Sequence, residues 1–185
     1  MTVPGPPGDP RRPQLSDLAD ERTRLSRELA AMRKALQHAD AARQELSELG
    51  QKVGSASRWS AYGTFFGGGR TATAAVHRRL GEAADVAAEA DYHLGLLRTA
   101  LSGLPATMPT FPLLAISART KLADLWVDNI LTNLAVRDRI TQARQNVDHS
   151  LRVVQEAQEQ LTSRVARAQA RLASIEAKRR DLLAR

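Results

Sequence analysis

The chain has 185 residues, a formal net charge of +7, no cysteine and only 4% aromatic residues. The absence of cysteine excludes disulfides, thiolate nucleophiles and cysteine-ligated zinc sites. Because aromatic side chains supply much of the buried area of an ordinary globular core, their scarcity favours a narrow aliphatic stripe between long helices. Length and composition therefore indicate one elongated helical domain.

The first residues, MTVPGPPGDPRRP, contain most of the prolines of the chain. We predict that residues 1–14 form a disordered tail. This stretch lacks the apolar centre of a signal peptide, and no apolar run elsewhere is long enough to cross a bilayer. The sequence therefore predicts a cytoplasmic protein without a membrane span.

An apolar ladder with steps of three and four residues follows the tail, which is the spacing of a coiled-coil seam. Ser16 or an earlier residue can cap this helix, and Gly50 and Gly54 are placed to end it after Leu49. The ladder consists of Leu15, Leu18, Leu25, Leu29, Met32, Leu36, Ala39 and Leu46.

A segment rich in glycine and aromatic residues occupies positions 55–71 and is the best candidate for a binding site. A phosphate-binding P-loop is excluded, because Arg70 and Thr71 stand out of register and the lysine is missing. Two interpretations stay open: an aromatic plug at the end of the bundle, or backbone N–H groups that hold an anion. The candidate residues are Trp59, Tyr62, Phe65, Phe66, Gly67, Gly68, Gly69 and the following His77.

Two further helices are predicted. One runs from Thr71 to about Leu101, and the other runs from Leu113 to Leu183 without proline or glycine. A proline-rich turn at 103–112 separates them, since proline lacks the amide donor that a helix needs. The second of these helices carries a ladder of Ile140, Ala143, Val147, Val154, Leu161, Val165, Ala168, Leu172, Ile175 and Leu182.

These elements predict an all-α fold, an elongated antiparallel helical hairpin with a coiled-coil stalk and a short helical-bundle head. The stalk would pair residues 15–49 with 145–183, and the head would comprise residues 50–144. In the head, the helix that starts at Thr71 would pack on the segment from Leu122 to Leu134.

A basic cluster lies near the C-terminal end and permits two interpretations. It can attract nucleic acid or an anionic surface. Alternatively, its long side chains flank the apolar seam and pair with acids of a facing helix, and its charges oppose the helix dipole. The cluster consists of Arg164, Arg167, Arg171, Lys178, Arg179 and Arg180.

Catalytic and metal-binding patterns are weak. No serine stands in a nucleophile elbow, and no histidine pair has the spacing of a zinc protease. His77 could form a mixed metal site with Asp124 and Asp128 only if their helices packed in one particular register. We expect no metal and no cofactor.

The run Trp59 to Gly69, WSAYGTFFGGG, then His77, Glu82 and the segment Leu125 to Ile140 resemble a group of bacterial coiled-coil proteins, of actinobacterial or Firmicute type. In that family a W-S-T-W-D-T-F-G-G-G-like segment precedes a K-H-x-x-L-D-E-A helix. A D-x-x-F-D-x-x-x-x-D-x-x-V helix then leads into the terminal coil. The resemblance covers residues 15–183 and implies an architecture without a known activity.

This chain departs from the family pattern at Gly63, Val76 and Gly81, where the family has Asp, Lys and Asp. Any polar site that the family forms there would be weakened in this chain.

The function that the sequence favours is a non-enzymatic coiled-coil scaffold or adaptor that binds another protein or a second copy of itself. The alternative is a nucleic-acid-associated protein that uses the basic C-terminal end. An enzyme acting at the glycine and aromatic segment comes third, because only the composition of that segment supports it.

Overall fold

The computed structural model describes the backbone of residues 11–65, 70–104 and 136–184. Three helices account for this backbone: α1 at Arg11–Phe65, α2 at Arg70–Ser102 and α3 at Val136–Ala184. No strand occurs among the described residues. The predicted all-α fold is confirmed, and the predicted bounds of α2 are correct to within one residue.

Within the described ranges, no helix combines the length and the apolar character that crossing a membrane requires.

The helices α1 and α3 run antiparallel along most of their lengths. A Cβ built on Gly50 of α1 would lie 3.5 Å from Val147 of α3. Farther along, Asp40 accepts a hydrogen bond from Gln158, and Glu21 contacts Arg171. Because partner numbers rise on one helix while they fall on the other, α3 returns along α1, as the two ladders predict.

The helix α2 also packs against α1, and this contact differs from the prediction. Ala31, Lys34 and His38 of α1 lie beside the last turns of α2, from Leu96 to Gly103. The end of α2, which was predicted to belong to the head at 50–144, thus lies beside a part of α1 that was predicted to belong to the stalk. The predicted packing partner of α2, Leu122 to Leu134, lies outside the described residues.

The sequence of α1 explains why it has two partners in one region and one partner in another. Between Ala31 and Val53 its apolar positions form a broad face in which alanine alternates with larger side chains, and this face can contact two helices. Before Ala31 the apolar positions narrow to single residues such as Leu18 and Leu25, with charged residues between them. Only α3 is packed against this narrow stripe in the described structure.

The core is aliphatic, and among the described residues no polar or charged residue is buried. One contiguous cluster joins all three helices, and its alanines allow close approach of the backbones. From α1 it contains Leu29, Met32, Ala35, Ala39, Ala42, Leu46, Leu49 and Val53. From α2 it contains Ala83, Ala87, Ala90, Leu94, Leu97, Leu101 and the adjoining Leu104. From α3 it contains Ile140, Ala143, Val147, Val153, Val154, Ala157, Leu161 and Ala168.

The bounds of α1 correct two predictions. Residues 11–14, which were assigned to the tail, belong to the first turns of α1, where Pro13 is tolerated because its missing N–H would have no helical partner. The second correction concerns the C-terminal end of α1: Gly50 and Gly54 do not end the helix, which continues to Phe65. Its contacts with α2 and α3 outweigh the intrinsic cost of glycine, about 1 kcal/mol per residue. Residues 1–10 lie outside the described part.

The predicted turn begins where α2 ends. The N–H of Gly103 donates to the carbonyl of Thr99, and the N–H of Leu104 donates to the carbonyl of Leu101, both at 3.2 Å. The remainder of the turn, 105–112, and the segment 113–135 of the last predicted helix lie outside the described residues.

Replacing Gly50 or Gly54 with Ala should raise the free energy of unfolding by about 0.5–1 kcal/mol, because both glycines lie inside a helix and leave room for a methyl group. Urea denaturation followed by circular dichroism measures the change. If these glycines ended the helix in a left-handed conformation, alanine would instead lower the stability by about 1 kcal/mol or more.

Replacing Leu161 with Ala should lower the free energy of unfolding by about 2–5 kcal/mol, because its side chain is fully buried between helices. The matched control is Thr162→Ala, at the adjacent position of the same helix, which is exposed. Equal effects of the two substitutions on the urea midpoint would contradict the observed seam.

Candidate functional site

Of the eight candidate residues in and after the glycine and aromatic segment, the structure describes four, and of these only the backbone. Trp59 and Tyr62 lie on α1, Phe65 is its last residue, and His77 lies on α2. The segment is therefore helical up to Phe65, although Gly50 and Gly54 were expected to end the helix before it. Phe66, Gly67, Gly68 and Gly69 lie outside the described residues, as do the side chains of Trp59, Tyr62, Phe65 and His77. The aromatic plug and the anion site stay predictions.

The basic cluster near the C-terminal end is partly neutralised by α1. Arg171 donates to Glu21 Oε1 from Nη2 at 2.7 Å and from Nε at 2.8 Å. Arg179 lies 3.7 Å from Glu176, one turn earlier on α3. Both arginines therefore pair with acids. Arg171 pairs with an acid of the facing helix, as the interpretation of the cluster as a flank of the seam predicts, whereas Arg179 pairs within its own helix.

The other members of the cluster have different surroundings. Arg167 donates from Nε to the carbonyl of Ser163, while Lys178 and Arg180 are exposed. Burial, and secondly the charge of Arg167, lower the pKa of Arg164 below its ordinary value. Arg164 is thus partly withdrawn from water, which fits a side chain lying along the seam better than one reaching out to a phosphate.

A second ion pair marks the opposite flank of the same seam. Arg22 of α1 contacts Glu176 of α3 at 2.5 Å. Ile175, next to Glu176, is almost fully buried between the two helices. The two-helix end of the rod therefore has an aliphatic seam with an interhelical ion pair on each side.

Apolar residues continue on the flank of Arg22 and Glu176. On α3, Leu172 lies four residues before Glu176 and Leu183 lies seven residues after it, so both share the helix face of Glu176. On α1, Leu15 lies seven residues before Arg22 and shares the helix face of Arg22. Leu15 and Leu172 are half-buried, and Leu183 is 67% exposed. We name Leu15, Leu172 and Leu183 the terminal apolar edge.

A cavity of about 250 Å³ lies between α1 and the last turns of α2. Its floor is small and apolar. Lys34 and His38, one turn apart on α1, place an ammonium group and an imidazole at its rim. Within the described structure neither of these two side chains makes an ion pair or a hydrogen bond. The lining residues are Ala31, Lys34, His38, Leu96, Thr99, Ala100 and Gly103.

A larger open depression of about 860 Å³ follows the polar face of α1 from Asp40 to Lys52. Its charges are mixed and partly paired, since Lys52 lies 3.3 Å from Glu48 and Asp40 accepts a hydrogen bond from Gln158. This is the pattern of a solvated helix face rather than of a binding site.

Metal binding has no support in the described part of the chain, where no three His, Asp or Glu residues are grouped closely enough to hold an ion. The site considered for His77, Asp124 and Asp128 depends on side chains outside the described residues.

Sequence reasoning found the flanking arginines but missed the cavity. Lys34 and His38 look like ordinary surface residues of one helix, and Leu96 and Ala100 look like ordinary positions of another. Only the register that places Ala31 beside Gly103 brings them together, and no pattern within either helix fixes that register.

Comparison with family models, curated proteins and solved structures finds no match for this chain.

A double-mutant cycle of Arg171→Ala and Glu21→Ala should give a coupling free energy of about 0.2–1 kcal/mol, the range of exposed ion pairs. Added salt at about 1 M should remove most of it, because the pair is accessible to solvent. The control cycle combines Arg167→Ala with Glu21→Ala and should show no coupling. A salt-independent coupling in urea denaturation would contradict a pair at the surface.

Proposed function

We propose that this chain is a non-enzymatic helical scaffold or adaptor whose partner is another protein or a second copy of itself. The observation that carries the proposal is the terminal apolar edge, which extends beyond the region where α2 packs on α1. A partner helix laid on this edge would bury leucine side chains that the two-helix end leaves partly exposed.

The construction of the rod supports the same function. The 55 residues of α1 would extend over about 80 Å at 1.5 Å per residue, with α3 returning along it. Such a rod separates binding surfaces by distances that a compact domain of the same length does not reach. Its aliphatic seam supplies rigidity, and the described residues bring together no set of polar groups suited to catalysis.

The nucleic-acid alternative draws less support from the geometry. Arg171 and Arg179 contact acidic residues, so a phosphate would have to displace carboxylates from them. The described cluster also has no aromatic side chain between its arginines on which a base could stack.

Size-exclusion chromatography with light scattering tests the proposal directly. We expect a dimer or larger assembly whose mass is the same at low and high salt and does not change with duplex DNA. Leu183→Glu should shift the assembly toward the monomer, because it places a charge in the terminal apolar edge. The control is Ala173→Glu, at an exposed position of the same helix.

A monomer that binds duplex DNA only at low salt would contradict the proposal and favour the basic end of α3.

A further inference from the structure

The cavity between α1 and the end of α2 has the size of a side-chain socket. Its volume of about 250 Å³ lies below the range of about 300–1,000 Å³ that is typical of small-molecule sites. The floor, formed by Ala31, Leu96 and Ala100, offers no hydrogen-bonding side chain. The hydroxyl of Thr99 is already bonded to the carbonyl of Gly95. A small polar ligand would gain little here, whereas one aliphatic side chain would bury its surface.

The rim of the cavity favours ligands with acidic groups, because Lys34 and His38 line it. Lys34 and His38 lie at i and i+4 on α1. The described residues that line the cavity include no carboxylate to balance them. A ligand that brings acidic groups to the side of α1 would supply the missing partners. At the other side, the C-terminal end of α2 carries partial negative charge and disfavours acidic groups. The acidic groups of a ligand are therefore expected over α1.

An exposed aromatic residue, Tyr92, lies on the same face of α2 as two residues that line the cavity. Tyr92, Leu96 and Gly103 stand at i, i+4 and i+11, so they lie along one face of α2. Tyr92 is 60% exposed, and its ring packs edge-on against His93 with 5.3 Å between the ring centroids. An exposed aromatic residue about two turns from an apolar socket is typical of a groove that receives an amphipathic helix.

We propose that this groove binds an acidic amphipathic helix of a partner protein, with one leucine-like side chain in the cavity and carboxylates on Lys34 and His38. The site is separate from the terminal apolar edge and does not depend on self-association. A nucleic acid fits it less well: its phosphates could pair with Lys34 and His38, but it has no aliphatic side chain to bury in the apolar floor.

The test uses three fluorescein-labelled helical peptides of about 15 residues and the full chain. The first peptide has Leu at every third or fourth position, Glu beside each Leu and Ala elsewhere. The second replaces each Glu with Lys, and the third replaces each Leu with Ala. By fluorescence anisotropy at about 0.15 M salt, the first should bind at least about tenfold more tightly than the other two.

Two variants of the chain locate the binding. Gly103→Leu fills the cavity without strain, since a Cβ there meets its nearest atoms at 3.6 Å, an ordinary contact. Lys34→Glu reverses the charge of the rim. Each should weaken binding of the first peptide about tenfold or more.

Matched controls are Gly81→Leu, on α2 with no atom within 4 Å of its Cβ, and Lys178→Glu, exposed on α3. Both should bind the first peptide like the unchanged chain. Circular dichroism and light scattering should show that all four variants keep the helical content and mass of the unchanged chain. A change in mass would therefore report on self-association, separately from the groove.

Three results would overturn the proposal: equal binding of the acidic and basic peptides, unchanged binding by both Gly103→Leu and Lys34→Glu, or duplex DNA binding that these two variants abolish.

Discussion

Burial of the alanine-rich face of α1 between two antiparallel helices is the interaction on which the rest of this structure depends. Ala35, Ala39 and Ala42 are fully buried, so the neighbouring backbones can approach closely along this stretch. Small residues lose little side-chain entropy on packing, and the stabilisation comes from many aliphatic contacts distributed along the rod. Single changes at exposed positions should therefore leave the fold intact, whereas a polar group placed in the seam should not.

The width of this apolar face also determines where the rod contains three helices and where it contains two. Where α1 is broad and apolar, α2 and α3 both pack on it, and where it narrows, only α3 does. This transition near Ala31 creates both candidate surfaces. The cavity lies where α2 ends, and the terminal apolar edge lies on the two-helix part beyond it.

The sequence predicts the helices and the α1–α3 seam well, because a heptad repeat reports directly which residues face a partner. Seven of the ten predicted α3 ladder residues are buried, and Val165, Leu172 and Leu182 are half-buried. Local rules failed where packing overrides propensity: Gly50 and Gly54 look like a helix end, yet their helix continues between its partners. The position of α2 could not be predicted, since its alanines fit several neighbours equally well. The cavity could not be predicted for the same reason, because it forms only where the end of α2 meets α1.

The most direct test of this account is the distance between the end of α2 and the middle of α1. The chain has no native cysteine, so spin labels can be attached at Gln37→Cys and Ser102→Cys alone. With helix axes about 8–10 Å apart, double electron–electron resonance should give a distance below about 25 Å. A distribution centred beyond about 35 Å, more than twenty residues along a helix, would mean that α2 belongs to a separate head and would contradict the account.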